Sequence, residues 1–392
     1  MFRDPEGRHA IGFRRETAAV YYNTAILWES RALKLLFISF SPVRFNTAMP
    51  VREPLGGSES AAAYLMRALA PRHGVTLAAN LPDGTPALLD GVRHVPLAAA
   101  EDPAFFVAGD FDAVIALSAP ANAGLLKQMA PSAFHVAWLH MLPDQSAMAG
   151  LDAMTPMIDC AVFVSHTHRA LVPYDGPAQV IGNAIAPAFE NLFGAAEDLR
   201  AAKRNRAVYT SMPGRGLALL VEAMALAKTD TRLDVYSAMR TYQMGEEPMA
   251  DLYARLEQTP RCRHHGAIGQ AALAQELHSA ALLAYPSTFT ETFCIAAAEA
   301  MAAGLKVIAT DLGALRETTL GFADLVPLGP DLAARYAAQL EHAEQDFMTR
   351  PQEWAAERFA QVQAINCQCT WSVRAGEWEA FLGPAIAWKR GA

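Results

Sequence analysis

YPSTFTETFCIAAAEAMAAGLKVIATD, residues 285–311, is the stretch on which the fold reading turns. An apolar strand ends at Tyr285 and Pro286, a polar loop follows, and a helix opens near Phe293. Gly304 closes that helix, and LKVIATD is strand again. A strand that returns to strand through a helix pairs in parallel, and parallel strands are buried on both faces. The continuous apolar character of ALLAYPS and LKVIATD fits such burial better than an alternating pattern would.

Outward from this unit the same alternation repeats. Upstream, AVYTS (207–211) leads to the helix GLALLVEAMALAK, RLDVYSA to a helix around 249–258, and the run before Gly266 to AALAQELHSA. Downstream, LKVIATD leads to ALRETT, and from 330 the chain reads as helical. An irregular stretch around 183–206 separates this array from an earlier one. There LKLLFISF (33–40), VTLAAN, DAVIALS (112–118), FHVAWLH (134–140) and CAVFVS (160–165) are strand runs. The helix SESAAAYLMRALA follows the first of them, with Arg72 and His73 as a basic last turn and Gly74 as the glycine beyond it. The expected architecture is α/β: two doubly wound, Rossmann-like parallel-sheet domains facing a central cleft. The expected divisions are an extension at 1–32, a first domain at 33–190, a second at 191–370, and a C-terminal helix at 371–392 packing back on the first domain.

In such sheets ligands sit beyond the carboxyl ends of the strands. Three loops there carry chemistry. Thr292, Phe293 and Cys294, with Ile295 behind them, lie at a positive helix end suited to a diphosphate, and Glu291 stands just before it. Glu299 lies two turns on, roughly 12 Å along the helix, where a carboxylate can accept from ribose hydroxyls. In YTSMPGRGLALLVEA (209–223), Arg215 precedes a helix start, an awkward place for a cation unless an anion is near. In EPLGGSESAAAYLMRAL (53–69), Gly56 and Gly57 permit a tight bend and Ser58 is a ready N-cap. His140 leaves a buried strand at the cleft edge.

Glu291 through Glu299, followed by EAMAAG, resembles the E-x7-E arrangement of the retaining glycosyltransferases of family 4, of GT-B fold. The resemblance implies that Glu291 contacts the donor sugar, Glu299 the ribose and Arg215 the donor diphosphate, with His140 at the reacting sugar. It also implies that Gly57 faces donor and acceptor, and that Asn183 supports the backbone before the linker. The chain departs from the family where Thr292, Phe293 and Cys294 replace a Gly-Phe-Gly sequence, where Ser211 replaces a second phosphate contact, and where Met141 follows the histidine in place of Asp. The implied reaction is transfer from a nucleoside diphosphate sugar to an acceptor hydroxyl with retention, by front-face attack, without metal or separate cofactor. A sugar-nucleotide epimerase and a non-catalytic sugar-nucleotide-binding protein are the rival readings. A nicotinamide enzyme lacks its G-x-G-x-x-G fingerprint here.

Composition sets the outer limits. Net charge is −8, which advertises neither nucleic acid nor anionic lipid as partner. No apolar run reaches the roughly 18–20 residues of a membrane span, and MFRDPEGRHAIGFRRE is too charged for a signal peptide. Five scattered cysteines suggest a reducing compartment, hence a cytoplasmic enzyme, with the Arg-bearing start able to brush the inner face of a membrane. Cys367 and Cys369 read as structural thiols, Asp110 and Asp112 as a solvated turn, and His166, His168, His264 and His265 as unsuited to metal.

Overall fold

The computed structural model describes residues 31–391, and within them the apolar runs pair into two separate sheets. The first comprises β1 (Lys34–Ser39), β2 (Gly74–Ala79), β3 (Ala87–Leu89), β4 (Val92–Pro96), β5 (Ala113–Leu117), β6 (Phe134–Leu139), β7 (Cys160–Phe163) and β8 (Ala178–Val180). Their order is β3-β4-β2-β1-β5-β6-β7-β8, parallel throughout except for the short edge strand β3. The second sheet comprises β9 (Arg204–Tyr209), β10 (Arg232–Val235), β11 (Cys262–His264), β12 (Ala280–Tyr285), β13 (Lys306–Thr310) and β14 (Asp324–Val326). Its order is β11-β10-β9-β12-β13-β14, all parallel. The central strands are sealed: β12 and β6 are buried along their whole length, as continuous apolar runs require.

Each sheet reverses its strand order beside its first strand, between β1 and β5 and between β9 and β12. Connections diverge at such points and leave a crevice at the carboxyl ends. The loops after β1, β6, β9 and β12 therefore carry Gly57, His140, Arg215 and Glu291 to one place.

The helix Trp371–Gly391 returns to the first domain. Trp378 meets Trp138 of β6 edge-on at 5.2 Å, Phe381 meets Phe134 at 6.0 Å, and Trp371 stacks on Tyr64 at 6.4 Å. Burying an aromatic side chain of this size contributes on the order of 1.5–3 kcal/mol. The helix end is pinned by charge: Lys389 pairs with Asp159 and Arg390 with Asp112. Asp112 is consequently not in a solvated turn. Its side chain is buried, accepting from the Lys34 amide at 2.7 Å and facing Arg31 as well as Arg390. Asp110 is the exposed member of that pair of residues.

Three local expectations are corrected. The helix after β1 spans Gly57–Leu69 with Gly56 at its N-cap, so Ser58 sits inside the first turn and makes no cap. Gly74 opens β2 and does not close that helix. The helix after Glu291 starts at Ile295, two residues later than Phe293, because Cys294 adopts a left-handed φ of +77° and breaks the helical run before it. The expected extension over 1–32 falls, up to residue 30, outside the described residues.

The two domains are bonded across the cleft. Glu317 of the second domain accepts from the backbone amides of His166 and Thr167 at 2.8 and 2.9 Å, an N-cap supplied by the other domain. Ser165 Oγ donates to the Thr292 carbonyl at 2.7 Å, and Thr292 Oγ1 donates to the His140 carbonyl at 2.9 Å. Elsewhere along the cleft, Gln243 and Arg44 exchange two bonds, Arg44 N to Oε1 at 3.0 Å and Nε2 to the Arg44 carbonyl at 2.7 Å.

Candidate active site

Between the domains lies a cavity of about 610 Å³. Its lining includes Gly57, His140, Ser211, Arg215, Glu291, Thr292, Phe293, Cys294, Ile295 and Glu299, so the residues singled out in the sequence lie together. Three helices have their first residue on this cavity, Gly57–Leu69, Gln270–Ser279 and Ile295–Ala302, and a fourth, Leu217–Leu226, starts two residues beyond the lining residue Arg215. Their N-cap residues are Gly56, Gly216, Gly269 and Cys294, and none makes a side-chain cap. A helix start carries roughly half a positive charge, although the Leu217 amide is already bonded to the Pro213 carbonyl at 3.3 Å. Four such ends around one cavity make a cradle for anionic oxygens.

Glycine at two of these starts is forced by packing. Gly216 has φ +105°, and a Cβ there would lie 2.0 Å from the Pro286 carbonyl oxygen. At Gly269 a Cβ would lie 2.3 Å from the Arg52 backbone, across the cleft. Gly57, by contrast, has ordinary room, with its nearest neighbour at 3.7 Å, so its part is to line the cavity. Gly313, at φ +62°, allows the backbone of Glu291 to press against it, and Ala314 N donates to the Glu291 carbonyl at 2.8 Å.

Arg215 and Glu291 form an ion pair. Arg215 Nη1 lies 2.8 Å from both carboxylate oxygens, and its guanidinium sits 4.4 Å over the Phe289 ring. Tyr285 OH donates to Glu291 Oε1 at 2.5 Å, and Ser211 Oγ lies 3.3 Å from the same hydroxyl. Glu291 is nearly sealed at 2% exposure, while Arg215 keeps 26%, so the arginine is the member that faces the cavity.

Glu299 is buried, its Oε1 accepting from Ala186 N at 3.2 Å and from Gln270 Nε2 at 2.7 Å. Burial pushes its carboxyl from 4.5 up to about 8, with those two bonds only partly offsetting it. The folded protein therefore retains a proton that the unfolded chain has lost, over the window from pH 4.5 to about 8. Stability is expected to fall as pH rises through this window, by up to about 1.4 kcal/mol per unit. Glu299→Gln should remove that slope. Thermal melts of both proteins near pH 5 and near pH 8 would show the variant gaining on the wild type at the higher pH. Parallel curves would mean that Glu299 is already ionised in the fold.

His140 is buried against Trp138, with ring centroids 4.6 Å apart, and neither ring nitrogen has a hydrogen-bond partner among the described residues. Burial, followed by the charge of His168, pushes its pKa down to about 3, so the ring is neutral. Asn183 lines the same cavity; its carbonyl accepts from Arg374 Nε at 3.0 Å while its side-chain Oδ1 is sealed and unpartnered. Cys294 is buried, and burial raises its thiol above the ordinary value, which makes it an unreactive one.

Sequence reasoning missed Tyr285, Gln270 and Tyr242. Tyr285 could have been found as the last residue of a buried strand at the cleft. Gln270 could have been found as the first helical residue after Gly269. Tyr242, which lines the cavity and packs where a Gly56 Cβ would sit at 3.0 Å, ends a one-turn 3-10 helix, Met239–Tyr242, that carries no such signal.

Several solved structures superpose on both domains. A sucrose-phosphate synthase from Thermosynechococcus elongatus matches with a TM-score of 0.63 at 18% identity, covering 88% of this chain and 97% of its own. The Anabaena protein HepE in complex with UDP-glucose matches at 0.63 and 17% identity, covering 86% and 98%. A glycosyltransferase from Rickettsia africae matches at 0.65 and 15%, covering 88% and 97%. The fold is GT-B. Within it, residues 206–346, which carry Arg215, Glu291 and Glu299, match the family described as glycosyl transferases group 1. No curated protein sequence matches the chain. Among the described residues no helix is long and apolar enough to cross a membrane.

Proposed function

We propose that this GT-B protein is a retaining glycosyltransferase that moves a sugar from a nucleoside diphosphate sugar to an acceptor hydroxyl. The observation that carries this reading is the set of four uncapped helix starts around one cleft cavity that also holds Arg215, two carboxyl groups and a neutral histidine. A diphosphate leaving group needs countercharge more than a proton, and fixed dipoles with Arg215 supply it without metal. Glu299 meets the ribose and Glu291 the donor sugar. A sugar hydroxyl both donates and accepts, so one could satisfy the Asn183 amide oxygen together with a His140 ring nitrogen. The bonds between the domains hold the cleft closed around the donor and exclude water, which favours transfer over hydrolysis. The acceptor proton leaves with the departing phosphate in a front-face attack. The five cysteines of the chain are free thiols, in keeping with a cytoplasmic site of action.

The solved HepE structures hold UDP or UDP-glucose, so uridine donors head the test panel. In a thermal-shift screen of UDP-, GDP- and ADP-sugars, one base class is expected to raise the melting temperature by several degrees. Nucleotide should then be released only when an acceptor extract is added. Conversion of the donor to an isomeric sugar nucleotide without acceptor would make the protein an epimerase. Absence of any shift across the panel would remove the donor site.

A further inference from the structure

The Arg215–Glu291 pair has an unusual position for a structural ion pair: it sits in the wall of the donor cavity, at the start of two of the four helices. Charge complementarity there is internal. Glu291 offers both of its oxygens to a single Arg215 nitrogen, Nη1, at 2.8 Å each, and a phosphate could present two oxygens to the same guanidinium. The carboxylate is also held from a second side by Tyr285 OH, and its backbone is fixed by the Gly313–Ala314 turn. Arginine is held differently. Its guanidinium lies over the Phe289 face, a contact that permits rotation in the ring plane, and it retains a quarter of its exposure.

We propose that Glu291 is a placeholder for the donor phosphate on Arg215, and that Tyr285 is the positioning residue that keeps the carboxylate in place when the arginine changes partner. This rests on the donor reading given above. Donor entry turns the guanidinium from carboxylate to phosphate across the Phe289 ring. Glu291, retained by Tyr285, is then left facing the sugar, the role in which a carboxylate accepts hydroxyl bonds. The exchange conserves the number of charge-assisted bonds on Arg215. It also sets a threshold, because a ligand without a phosphate has nothing to offer in place of the carboxylate.

The test uses the full chain with UDP and, as a base-free companion, inorganic pyrophosphate, both titrated by calorimetry. Glu291→Gln keeps the shape and the Tyr285 bond but removes the charge that competes for Arg215. It is expected to bind the probes roughly 10-fold more tightly than the wild type while transferring sugar more slowly. In an Arg215→Ala background the same substitution should give no such gain. Tighter binding that persists in that background would mean simple repulsion of the probe by Glu291 and would overturn the exchange. Unchanged or weaker binding by Glu291→Gln, with Arg215→Ala still damaging, would also overturn the exchange and leave the donor reading intact. A wild type that binds neither probe overturns both. Should Glu291→Gln fold poorly, a wild-type crystal structure with UDP decides: Arg215 still 2.8 Å from both Glu291 oxygens, with the diphosphate elsewhere, would end the proposal.

Discussion

Replacing Arg215 with alanine is expected to lower kcat/KM for sugar transfer by at least about 100-fold, equivalent to about 2.7 kcal/mol of transition-state stabilisation. Among the described residues lining the cavity, Arg215 is the one lysine or arginine, so no neighbouring cation can take over the phosphate. The helix starts remain, which keeps some residual activity. Part of the loss will be structural, because Glu291 is nearly sealed and would lose its counter-ion. Arg215→Lys separates the two effects. It keeps the charge but cannot present two parallel bonds, so it should restore the melting temperature more fully than the rate. Initial rates and melts of the three proteins check this. Transfer within about threefold of wild type in the alanine variant would take Arg215 out of the reaction.

Gly216→Ala should be the most damaging single methyl group that can be added to the molecule near the site. Its Cβ would stand 2.0 Å from the Pro286 oxygen, 2.8 Å from the Pro286 carbonyl carbon and 3.3 Å from Ser287 Cα, all of them main chain at the end of β12. Backbone cannot rotate aside as a side-chain tip can, and alanine is also strained at a φ of +105°. The expected cost is about 3–5 kcal/mol, together with separation of the loops that bring Arg215 to Glu291. Gly214→Ala is the matched control, since a Cβ there meets nothing within 4 Å and its φ is not positive. Denaturant titrations should place the control within about 0.5 kcal/mol of wild type. A Gly216→Ala protein with an unshifted midpoint would mean that the β9 and β12 loops do not touch.

These two positions also mark how far the sequence could be read. Arg215 before a helix start and Glu291 before another are visible locally, because helix polarity makes a cation at an N-terminus stand out. That the two side chains bond to each other is not visible, since they lie 76 residues apart and meet only through the pairing of β9 with β12. The same holds for Glu299. Its helical spacing from Glu291 is local, whereas the burial that raises its pKa, and the Ala186 and Gln270 bonds that partly offset that rise, come from segments distant in the sequence. Asp112 reads as part of a solvated turn because the arginine that buries it is 278 residues away. The late start of the helix at Ile295 depends on a left-handed Cys294, a conformation that a cysteine does not announce. The alternation of apolar strand runs with helices, by contrast, is a local property, and it is what announces two parallel-sheet domains.

The helix Trp371–Gly391 has a bearing on how the molecule is made. Trp138 of β6, in the first sheet, is fully buried, and Trp378 packs edge-on against it. On the ribosome, residues 33–190 emerge long before 371, so the contacts of Trp371, Trp378 and Phe381 with the first domain form only after the second has been synthesised. A chain ending after β14 would therefore leave uncovered the first-domain surface against which that helix packs.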